Sequence, residues 1–112
     1  MQYEMMDLIS LLKVFDANYV IDGDYKKIAG LDINDPRDVD KAVDALLLTE
    51  FSTYSDESKK SLMATLRRSL ADPAQTFEKL FNQIGLIFDQ EEPRDRRAFM
   101  GMLLAALEAR GY

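Results

Sequence analysis

Residues 35–51 read DPRDVDKAVDALLLTEF, and this stretch decides the fold. Asp35 followed by Pro36 is a helix start. The carboxylate accepts the first free backbone N–H groups, and proline's fixed φ suits the first helical position, where its missing N–H costs nothing. Val39, Val43, Leu46, Leu47 and Phe51 then recur at three- and four-residue spacing, which predicts a helix from Pro36 to about Thr53 with one apolar stripe. Asp38, Asp40 and Asp44 lie off that stripe. Leu48 also falls off it, so Leu46-Leu47-Leu48 spans a wide arc, and Val14 does the same in the first helix. A wide apolar arc fits a helix packed on two sides, or else an apolar patch used for association.

The same punctuation extends outward. A first helix runs from about Glu4 to Asn18, with Met5, Leu8, Ile9, Leu12, Phe15 and Tyr19 on one side. Ser55-Asp56-Glu57 opens a third over Asp56 to Leu70, turning Leu62, Met63, Leu66 and Leu70 inward. Asp72-Pro73 opens a fourth to Phe88 through Phe77, Leu80, Phe81 and Ile84. Glu92-Pro93 opens the last, to Arg110, through Phe99, Met100, Leu103, Leu104 and Leu107, with Gly111 placed to close it. Asp24 to Ala29 adds a short helix or one turn before Gly30. No stretch alternates convincingly with period two. Short connections imply neighbours packed mostly antiparallel. The expectation is an all-α chain: a bundle of five main helices, with a short sixth, in a single domain over residues 1–112.

Composition narrows the chemistry. Hydrophobic residues at 47% and charged residues at 30% describe a globular chain and not a disordered one. With no cysteine there is no disulfide or thiolate chemistry, and with no histidine the usual neutral-pH base and the usual transition-metal ligand are missing. The longest apolar run without a charge, Ala98 to Leu107, is about half the ~20 residues a bilayer span needs and reads as a buried helix. Glu4 and the lack of a basic segment at the start argue against a signal peptide, so the expected location is cytoplasmic, with no membrane segment.

Charge is distributed unevenly. The net charge is −6, yet residues 1–57 hold thirteen acids and five bases, whereas residues 58–112 hold seven acids and nine bases. The acids gather at Asp22, Asp24, Asp32, Asp35, Asp38, Asp40 and Asp44. The bases gather at Lys59-Lys60, Arg67-Arg68 and Arg94, Arg96 and Arg97. A charged exterior serves solubility, and an acidic face also steers a basic partner into place. The irregular stretch from Asn18 to Asp35 is the candidate functional loop. Tyr25 and Tyr54 supply aromatic anchors of the kind that dominate interfaces. The candidate partner-binding residues are therefore Asp22, Asp24, Tyr25, Asp38, Asp40, Asp44, Leu48 and Tyr54.

Other chemistries fit poorly. Asp22-Gly23-Asp24 has the opening spacing of a calcium-binding EF-hand loop, but position five is Lys26 and position twelve is Ile33. Starting at Asp32 puts Pro36 and Val43 at those places, leaving at most a weak divalent-cation site in the loop. Asp40 and Asp44 share a face, as a two-carboxylate hydrolase would need, but there is no tryptophan to stack a sugar. Serine has no histidine to activate it, and the scattered glycines form no phosphate loop. A helix-turn-helix through Ala71-Asp72-Pro73 would present Glu78 beside Lys79, on a chain whose pI of about 4.6 repels a polyanion. No cofactor and no metal are expected. The functional expectation is a non-enzymatic protein-binding module, an acidic inhibitor covering a basic partner surface such as a toxin or nuclease domain. This is the physical profile of many bacterial immunity proteins. The alternatives are a self-associating structural subunit acting through Leu48 and Val14, and a helix-turn-helix-like nucleic-acid binder.

Overall fold

A computed structural model describes residues 2–18, 26–88 and 92–112, which form an all-α bundle with no β-strand among them. Helix α1 (Gln2–Leu12) tightens into a 3-10 turn at Lys13–Phe15. Helix α2 is continuous over residues 36–51 but has three pieces: Pro36–Ala42, a π-helical turn at Val43–Leu47, and Leu48–Phe51. Helices α3 (Asp56–Ala71), α4 (Glu78–Gln83) and α5 (Arg96–Ala109) complete the five. Among the described residues no helix is long and apolar enough to cross a membrane.

The helix starts at Asp35 and Ser55 are as expected. Asp35 Oδ1 accepts the Arg37 N–H at 2.9 Å, and Ser55 Oγ accepts the Ser58 N–H at 3.1 Å. The last helix begins later than Pro93. Asp95 is its cap and accepts the Ala98 N–H at 3.1 Å, because aspartate caps far better than Glu92. At its other end Gly111 takes a φ of 91°, and the Tyr112 and Gly111 N–H groups return to the Leu107 and Glu108 carbonyls at 3.2 and 3.0 Å. That is the Schellman geometry, which needs a residue free of Cβ strain at Gly111.

The first and fourth helices are shorter than their apolar spacing predicts. Asp72 does not cap a helix at Pro73. Its Oδ1 closes a turn onto the Ala74 N–H at 3.0 Å, Gln75 Oε1 takes the Phe77 N–H at 2.9 Å, and Thr76 Oγ1 takes the Glu78 N–H at 3.3 Å. Such local side-chain bonds compete with the helix ladder. Phe77 then sits in the left-handed region at φ 61°, an unusual place for a bulky residue, and its buried ring holds it there. Beyond Gln83 the chain is extended. The Ile87 N–H reaches the Phe15 carbonyl at 2.9 Å and the Ala17 N–H reaches the Gly85 carbonyl at 2.8 Å, so the end of the first helix is unwound to meet residues 84–88. Ile84, Leu86, Ile87 and Phe88 are buried all the same.

The part of the irregular loop that is described serves the core. Lys26 to Gly30 is a turn closed by Gly30 at φ 82°, with Ile28 buried within it and Ile33 buried beyond it. Residues 24 and 25 of the expected short helix lie outside the described residues. In α2 the Leu48 N–H donates to the Val43 carbonyl five residues back. The wider turn brings Val43, Leu46, Leu47 and Phe51 inward together, so the wide arc belongs to a helix packed on two sides. Val14 is buried and so offers no surface for the self-association expected through it, and Leu48 is half-buried against the core.

The C-terminal carbonyls of α3 are held by an arginine. Arg97 donates from Nη2 to the Leu70 carbonyl at 2.6 Å, and from Nη1 to the Asp72 and Gln75 carbonyls at 2.9 and 2.8 Å. One planar cation thus satisfies the helix end and the turn that follows. Arg97→Ala is expected to cost about 2 kcal/mol, since each bond has a charged donor. Arg97→Lys should recover little of this in urea denaturation, because an ammonium cannot span three acceptors. A loss below about 0.5 kcal/mol would mean that water serves those carbonyls equally well.

Candidate functional site

Only part of the acidic face read from sequence lies among the described residues. Asp22, Asp24 and Tyr25 lie outside the described residues. Asp38 turns toward the preceding loop, where its Oδ2 accepts the Asp32 N–H at 2.8 Å, and Lys41 Nζ lies 3.9 Å from its other oxygen. It works as a loop tie and not as a free contact residue. Tyr54 is half-buried. Its ring meets Phe51 edge-on at 5.9 Å between centroids, and its hydroxyl is buried. That hydroxyl lies beside Lys13, which Glu50 contacts at 3.1 Å. Burial works against the Lys13 charge, but Glu50 and the Tyr54 hydroxyl outweigh it and raise the pKa, so the ammonium stays charged.

Asp40 and Asp44 do share a face of α2, and the structure adds a partner that spacing alone cannot reveal. Arg110, in the turn that ends α5, donates to Asp40 Oδ1 at 2.7 Å and to Oδ2 at 3.2 Å, a two-pronged contact, and also to the Ala106 carbonyl at 2.8 Å. Asp44 is 71% exposed, with one oxygen 3.8 Å from the same guanidinium. Arg110 hydrogen bonding holds the Asp40 carboxyl below the ordinary carboxylate range, against a smaller opposing effect of burial.

Beside this pair lies an open groove of about 440 Å³ between α2 and α5. Pro36 and Asp40 form one wall. Ala98, Gly101, Met102 and Ala105 supply the other wall and the floor. The uncharged run that reads from sequence as a buried helix is therefore buried on one side only. Ala98 and Ala105 are exposed, and Gly101 and Met102 are half-buried.

Gly101 is the informative residue. Glycine inside a helix costs about 0.5–1 kcal/mol relative to alanine. It is usually kept for a positive φ or for close packing. Among the described residues Gly101 has neither reason: its φ is not positive, and a Cβ there would meet none of their atoms within 4 Å. The sequence signal was present in the spacing Ala98, Gly101, Ala105, which puts small residues along one strip of a helix.

Among the described residues no cluster of three or more acids is placed to hold a metal ion. The chain matches no family model, no curated protein and no solved structure at a significant level.

Two outcomes follow from this geometry. Gly101→Ala is expected to raise stability by about 0.5–1 kcal/mol in urea denaturation, whereas destabilisation would reveal a hidden packing need. Asp40 has a lowered folded pKa, so its contribution is complete above the unfolded value of about 3.9 and fades as pH falls through the folded one. Its carboxylate is 48% exposed, and solvent screening limits the effect to about 0.5–1 kcal/mol. Asp40→Asn should lose that much at pH 7, with the gap to wild type closing as pH falls through the lowered folded pKa. A gap independent of pH would place the effect elsewhere.

Proposed function

We propose that this chain is a non-enzymatic protein-binding module that takes a basic helical segment of its partner into the α2–α5 groove. The observation that supports this best is Gly101, a helix-interior glycine that none of the described residues requires. A floor of glycine and alanine lets another backbone approach closely, and Met102 adapts to the side chains that arrive with it. Asp44, mostly exposed one turn along from Asp40, gives an incoming lysine or arginine a partner at the edge. The acid excess of residues 1–57 favours association with a basic surface.

The inhibitor reading follows from the same chemistry. A small acidic protein that seats a basic segment can cover a nuclease or toxin surface, as an immunity protein of the cytoplasm does. Of the residues proposed from sequence, Asp40 and Asp44 belong to this face, and Leu48 continues their row on α2.

The experiment uses the whole chain as bait in extracts of its native host. Wild type should retain a basic protein, and Gly101→Leu should lose it while keeping the wild-type circular dichroism spectrum, since the added side chain starts in open space. Asp44→Lys should slow association about ten-fold at low salt and flatten its salt dependence, without unfolding the chain. Retention of the same protein by Gly101→Leu would exclude the groove. Sedimentation of wild type as a dimer that Gly101→Leu dissolves would assign the groove to a second copy instead.

A further inference from the structure

The basic half of the chain has a feature that the α2–α5 groove leaves unused. Three of its six arginines are committed to bonds across the fold. Arg97 holds carbonyls, Arg110 holds Asp40, and Arg67 lies 3.3 Å from Glu108. Lys59 and Lys60 make no ion pair with any described residue. Both line a cleft of about 370 Å³ on the outer side of α3, together with Asp56, Met63, Arg67 and the Tyr112 ring.

The cleft has a built wall. The Schellman turn at Gly111 swings the chain back so that Tyr112 meets Phe51 edge-on, at 4.8 Å between centroids and 89° between planes. The same ring lies 5.7 Å from Lys59 Nζ. Met63, almost wholly buried, supplies the apolar floor. Arg67 closes the far end, tied by Nη2 to the Tyr112 carbonyl at 3.1 Å. Two ammonium groups with no ion pair among the described residues therefore line the cleft, and that of Lys59 faces its aromatic wall.

We infer that this cleft binds a small organic anion whose phosphate or carboxylate meets Lys59 and Lys60 and whose flat apolar body lies on Met63 and Tyr112. Charge alone is not enough: Asp56 and Glu108 lie close by, and free inorganic anions are well hydrated. The apolar body supplies what the ammonium groups lack, and a lysine poised over an aromatic ring favours a ligand with a π face of its own. The open shape limits affinity to a dissociation constant of about 1 mM for a ligand of roughly ten heavy atoms.

Backbone amide NMR of the whole chain at fixed ionic strength tests this, using phenyl phosphate, benzoate, inorganic phosphate and benzyl alcohol as probes. Phenyl phosphate, benzoate or both should give saturable shifts confined to residues 56–67 and 111–112. Inorganic phosphate and benzyl alcohol should bind at least about five-fold more weakly. Which of the two anions binds distinguishes a phosphate site from a general anion site. The variant Lys59→Gln/Lys60→Gln should weaken binding about five-fold or more, and Tyr112→Leu should remove the preference for an aromatic body. Lys60 is exposed and Lys59 and Tyr112 are half-buried, and the unliganded spectrum reports whether the fold is kept. The inference is overturned if inorganic phosphate matches phenyl phosphate, if the shifts spread over other surface lysines, or if the double variant binds as wild type does.

Discussion

The described helices are short, from six residues in α4 to sixteen in α3, and isolated helices below roughly 12–15 residues are marginal in water. Each exists because its apolar side is buried against a shared interior, and every other feature answers to that constraint. The interior is joined by aromatic contacts: Phe15 on Phe88 at 5.5 Å, Phe88 on Phe99 at 6.1 Å, and Phe81 on Phe99 at 6.0 Å. These rings connect the end of α1, the extended segment at 84–88, α4 and α5. Where burial and helical geometry disagree, burial prevails. Phe77 keeps a left-handed backbone, and residues 84–88 give up the helix while keeping their side chains inside.

The sequence showed which side chains go inside more reliably than it showed the path of the backbone. Phe77, Leu80, Phe81, Ile84 and Phe88 are buried as their spacing requires, yet a helix joins only some of them. Spacing reports the direction of side chains, and a turn built from Asp72, Gln75 and Thr76 can deliver the same directions by another route. Caps were legible where the acceptor is strong, at Asp35 and Ser55. They misled where a proline stood near a better acceptor, as with Pro93 and Asp95. The wide arc at Leu46-Leu47-Leu48 was visible, but the π turn that resolves it depends on neighbours on both sides of α2.

The candidate site was only partly legible for a related reason. Counting charges along a chain assigns every carboxylate to the surface potential, but a folded chain uses many of them first. Asp35 caps a helix, Asp38 ties a loop and Asp40 holds Arg110. The contrast between an acidic first half and a basic second half is accordingly milder in three dimensions. The charges that the two proposals use are a smaller set, with Asp44 on one side and Lys59 and Lys60 on another. Gly101 went unnoticed because a glycine inside an apolar run looks like packing until the space around it is seen.

The π turn in α2 has a consequence for how this chain tolerates changes in length. Such a turn is an ordinary helix carrying one surplus residue, accommodated as a local bulge while the flanking segments keep their course. Taking one residue out of Val43–Leu47 would let the ladder close to four-residue steps, with the Asp35 start and the Phe51 end left where they are. The centre of a helix, normally the worst place for a deletion, is here a spacer that can lose a position. The bulge is the shape that a single inserted codon leaves when a helix absorbs it.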